Sequence, residues 1–63
     1  MKWQNVKFTA IAEYSNGSLS ELRAFTTEKA MSNWVNKQFA KDEGVTVTVY
    51  KGYTSKVIRT YHA

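Results

Sequence analysis

The stretch TTEKAMSNWVNKQFAKDEGVTVTVY, Thr26 to Tyr50, changes its hydrophobic period part-way along, and that change decides the fold. Until about Asp42 the apolar residues recur at helical spacing. On a helical wheel Met31, Trp34, Val35 and Gln38 cluster, Ala30 and Phe39 flank them, and Lys29, Ser32, Asn33, Asn36 and Lys37 take the opposite side. A threonine of the Thr26-Thr27 pair suits the N-cap, and Glu28 falls in the first turn, where the helix dipole favours an acid. Gly44 fits the glycine that ends a helix in the left-handed conformation. From Val45 to Tyr50 the period drops to two, predicting a strand with its valines inward.

Toward the N-terminus, Val6 to Tyr14 alternates as well, with Val6, Phe8, Ala10, Ala12 and Tyr14 on one side and Lys7, Thr9 and Glu13 on the other. Asn16-Gly17 then marks a hairpin into a second strand, about Leu19 to Phe25. A two-residue loop sets Ala10 beside Arg23 and Ala12 beside Glu21, which turns two charges inward. A three-residue loop with Gly17 left-handed pairs Ala10 with Leu22 and Phe8 with Ala24, and is preferred on that ground. Toward the C-terminus, Lys56 to His62 supplies a fourth strand. A four-residue turn, Gly52 to Ser55, pairs Val49 with Ile58, whereas one residue more swaps in Val57 and Tyr61; Ile58 inward is the expectation. The order of the strands in the sheet is open.

The 63 residues are thus expected to form a single domain, 1–63, of the α+β class: ββαββ, one helix packed on one face of a four-stranded, mainly antiparallel sheet. A hydrophobic content of 43% argues for a folded chain. With no cysteine there is neither a disulfide framework nor a thiolate metal site, so stability must come from packing or self-association, and a reducing cytoplasm is the natural setting. The longest apolar run, Ala10-Ile11-Ala12, is too short for a membrane span or a secretion signal.

Chemistry-bearing patterns are sparse. His62 is the single histidine, next to the C-terminal residue, and the adjacent acids Asp42 and Glu43 point apart on a helix end. Glycines at 17, 44 and 52 match no phosphate-cradling loop, and no cluster has the spacing of metal ligands. The expectation is no enzyme, no cofactor, no metal and no small-molecule substrate.

What remains is the sheet face that the helix does not cover. In the preferred registers it carries Lys7, Thr9, Ile11, Arg23, Phe25, Thr48, Tyr50, Arg59 and Tyr61, with Trp3 at its edge. Lys7, Ile11, Arg23, Phe25, Tyr50, Arg59 and Tyr61 form the candidate binding face. An apolar patch on so small a chain suits protein contact, an exposed edge strand can accept a partner strand, and a net charge of +4 steers an acidic partner. A second copy of the chain is the other expected protein partner. The alternative is a single-stranded nucleic acid, with the aromatics stacking on bases and the cations, Lys51 and Lys56 included, on phosphates.

Lys51-Gly52-Tyr53 resembles the opening of the RNA-recognition signature, but only for three residues and at a strand end where that signature begins a strand. In size and architecture the chain resembles the small accessory proteins with which bacteriophages bind and disable host factors. That resemblance implies a cytoplasmic setting, in a bacterium or an infected cell, and an inhibitory protein contact.

Overall fold

The computed structural model describes residues 5–62, so Trp3 lies outside the described residues. The chain runs β1 (Phe8–Glu13), β2 (Glu21–Phe25), α1 (Glu28–Lys41), β3 (Thr46–Lys51) and β4 (Val57–His62). All pairings are antiparallel and the sheet order is β2-β1-β3-β4, so β1 and β3 are central. The segment β2-α1-β3 therefore crosses over β1, and one helix covers one face. No helix among the described residues is long and apolar enough to cross a membrane.

The helix forms as its periodicity dictates. Thr27 is the N-cap, its hydroxyl accepting from the Ala30 N–H at 3.2 Å, and Met31, Trp34, Val35 and Gln38 are its buried residues. They meet Ala10 and Ala12 of β1 and Val45, Val47 and Val49, all fully buried, to form the core. Small alanines on β1 let the helix approach closely, while the β-branched valines fill the floor of the pleat beside them.

The helix ends differently from the expectation. Gly44 does not have a positive φ; the positive-φ glycines are Gly17 (85°) and Gly52 (54°). Asp42 caps the helix with extended backbone, and its carboxylate accepts from Ser15 N–H at 2.6 Å, Ser15 Oγ at 2.9 Å and Gly44 N–H at 3.0 Å. Those donors, the Gly44 N–H foremost, hold its carboxyl below the ordinary aspartate value. A folded-state pKa that is lowered contributes stability above the ordinary value and loses it as pH falls through the lowered one. Gly44 is required for a close approach instead: a Cβ there would lie 2.4 Å from Ser15 Oγ and 2.8 Å from Ser15 Cβ.

The hairpin adopts the register that was expected to fail. Phe8 pairs with Phe25, Ala10 with Arg23 and Ala12 with Glu21, followed by a long loop in which Gly17 is left-handed. The two charges are not buried, because β2 is an edge strand and both Glu21 and Arg23 stay exposed beside the helix. What the register gains is Phe25: it turns inward, is 8% exposed, and stacks at a tilt on Trp34, with ring centroids 5.6 Å apart at 52°. What it gives up is Leu22, which is 61% exposed on the opposite face.

The fourth strand is also corrected. Val47 pairs with Tyr61 and Val49 with Arg59, then Tyr50 pairs with Val57, leaving Ile58 as the extra residue of a bulge. Ile58 is exposed, and Tyr61, half-buried, packs against the edge of the core from the helix side. The helix lies mainly across β1 and β2, so the helix side of β4 is open to solvent and can carry Arg59 without a desolvation cost.

Beside the helix, the Tyr14 hydroxyl lies between Gln38 Oε1 and Glu21 Oε2, the latter at 2.9 Å, while Gln38 Nε2 donates to the Trp34 carbonyl at 3.1 Å. This satisfies a glutamine that is 1% exposed. Burial, reinforced by the acceptor and charge of Glu21 and the charge of Asp42, pushes the Tyr14 pKa up to about 12 from 10.0. The fold prefers the neutral phenol, so this contribution to stability is complete below pH 10 and is lost as pH rises toward about 12. In a tyrosinate absorbance titration, Tyr14 is expected to ionise at about pH 12, with its ionisation accompanying loss of helical circular dichroism. Glu21→Gln should bring that step to lower pH.

Candidate functional site

The pairings place the side chains of the uncovered face in three rows across the strands. Ala24, Thr9, Tyr50 and Val57 form one row; Leu22, Ile11, Thr48 and Thr60 form the next; Glu13, Thr46 and His62 form the third. The first two rows contain no charge. The turn between β3 and β4 curls over one end, where the Thr9 hydroxyl donates to the Gly52 carbonyl, so that Thr9 is buried although no helix covers it. Gly52 permits that turn through its positive φ. Tyr53 and Thr54 are thereby brought beside Thr9, Ile11, Leu22 and Tyr50, and the six residues line an open groove of about 250 Å³.

Of the residues expected on this face, Ile11 and Tyr50 are there and half-buried. Phe25 is not: it belongs to the core. Arg23, Arg59 and Tyr61 are not: they face the helix side, where the Arg59 guanidinium sits 5.7 Å from the Tyr61 ring centre. Lys7 precedes β1 at the end of the sheet, exposed, with its backbone bonded to both Phe25 and Gly52. The face is thus uncharged in its two central rows, lined by threonines, tyrosines and aliphatic residues, where arginines were expected.

Three residues of this face escaped the sequence reading: Leu22, Val57 and Tyr53, each more than half exposed. The first two follow from registers, and the available signal was size. Turning Phe25 inward sets its ring on Trp34, a contact that Leu22 and Ala24 could not reproduce, so the hairpin register follows the phenyl ring.

Among the described residues no three His, Cys, Asp or Glu side chains converge on a point. In comparison with known proteins, the chain matches no family model, no curated protein and no solved structure.

Proposed function

We propose that this chain is a small non-enzymatic binding module that engages protein through the uncovered face of its sheet. The observation that carries the reading is the pair of uncharged rows, in which exposed Leu22, with Ile11, Tyr50 and the nearby Tyr53, surrounds an open groove and exposed Val57 lies beside Tyr50. A contiguous apolar patch of this kind is uncommon on a small monomer unless something covers it. Tyrosine-rich, charge-poor centres are the composition that protein interfaces prefer. An accessory or inhibitory role, of the kind that bacteriophage proteins of this size perform, suits a chain that offers an uncharged open face.

The nucleic-acid alternative required Phe25, Tyr50 and Tyr61 to share a surface with Arg23 and Arg59. Those groups are divided between the core and two faces, which favours the protein-contact reading.

The test is association in solution, with itself or with a protein captured by it, measured for the wild type and for the pair Leu22→Ser and Tyr50→Ser. Association should persist at high salt, as apolar contacts do, and be lost in both variants while Lys37→Glu, on the solvent side of the helix, leaves it intact. Association that vanishes with salt and is indifferent to Leu22→Ser would overturn the reading.

A further inference from the structure

We infer that the occupant of the uncovered face is a second copy of the chain, stacked sheet on sheet about a twofold axis that runs across the strands. The inference rests on the reading of that face as a protein-contact surface and adds its partner and geometry.

Charge selects the partner. The chain carries a net +4, so two copies repel wherever cations meet. Arg23 and Arg59 face the helix side, and Lys29, Lys37 and Lys41 belong to the helix. The two central rows of the open face carry no charge, so a second copy meets no like charge there, and an acidic partner would find no cation in them to pair with.

Charge also selects the orientation. Along β1 the open face ends at Glu13, which makes no ion pair among the described residues, and Lys7 lies at the other end of the same strand. With the twofold axis parallel to the strands, Glu13 would lie at the same end as its own copy, one strand away, with no cation facing it. With the axis across the strands, β1 stacks on β1 and Glu13 of each protomer meets the Lys7 end of its partner. The midpoint between positions 7 and 13 falls at Ala10, between the Thr9 and Ile11 rows, so this axis also stacks each uncharged row on the other's counterpart. Such a contact is isologous, as closed dimers require, and packs two twisted sheets in the aligned manner of a sandwich. Each helix remains on an outer surface.

Four strands about 4.8 Å apart and about six residues long make a footprint of roughly 20 × 20 Å. That lies at the small end of specific interfaces, so the dimer should dissociate in the micromolar range or weaker.

Sedimentation or light scattering over a dilution series tests this. The wild type should approach twice the chain mass at high concentration and return to one chain on dilution. Leu22→Ser should remain monomeric throughout. Glu13→Lys should weaken the dimer about tenfold at low salt, and the exchange Lys7→Glu with Glu13→Lys should restore most of the loss. A dimer that ignores Glu13→Lys would overturn the crossed orientation. A chain that is monomeric at every concentration, yet captures another protein in a Leu22-dependent way, would overturn the second copy and leave the contact-face reading standing. A dimer that ignores Leu22→Ser would overturn both.

Discussion

Phe25→Ala is expected to abolish or nearly abolish folding, whereas Leu22→Ala, three positions earlier on the same strand, should leave the dilute monomer's stability within about 0.5 kcal/mol of the wild type. Removing a buried phenyl ring costs about 3–5 kcal/mol through lost transfer energy and the cavity it leaves. Here the ring lies on Trp34, and both are members of one small core made largely of alanine and valine. Domains of this size have little stability to spare beyond that amount. Urea unfolding followed by circular dichroism checks both variants. The opposite ranking, a tolerant Phe25 and a costly Leu22→Ala, would mean that β2 pairs one residue out of the register described.

Gly44→Ala is the second large effect. The added methyl group would enter a space already held by Ser15, 2.4 Å from its hydroxyl oxygen and 2.8 Å from its Cβ. Overpacking of this kind costs about 1–3 kcal/mol, and here it also pulls apart the donors that converge on Asp42 from the hairpin loop and the helix end. Relief requires removal of the whole Ser15 side chain, because Ser15→Ala would keep the Cβ. The double variant Ser15→Gly with Gly44→Ala should therefore recover part of the loss seen in Gly44→Ala, while Ser15→Ala with Gly44→Ala should recover less. Additive losses in the double-mutant cycle would show that the two side chains do not compete for one space.

These two positions also mark where the sequence was legible and where it was not. The helix, its threonine cap, its buried face and the inward valines follow from local spacing, and the structure has each of them. The faces of β2 and β4 depend instead on which of two registers wins, and a slip of one residue exchanges every side chain between faces. The rule that charges stay outward misled at β2 because an edge strand can face the helix side and still be wet at Glu21 and Arg23. At β4 the bulge at Ile58 breaks the alternation on which any reading by parity depends. The expected binding face shifted accordingly: Ile11 and Tyr50 stayed, Phe25 moved to the core, Arg23, Arg59 and Tyr61 moved to the helix side, and Leu22 and Val57 came out. Gly44 shows a subtler case, since a glycine after a helix marks both a left-handed cap and a close approach, and spacing does not separate them.

The absence of native cysteine makes thiol labelling the most direct measurement of the face assignment and of what covers the face. Leu22→Cys and Phe25→Cys would be labelled at a series of protein concentrations under native conditions. Leu22→Cys should react at the rate of an unfolded peptide when dilute and slow as concentration rises, whereas Phe25→Cys should be protected whenever the chain is folded. Rapid labelling of folded Phe25→Cys together with protection of Leu22→Cys at the lowest concentration would contradict the face assignment.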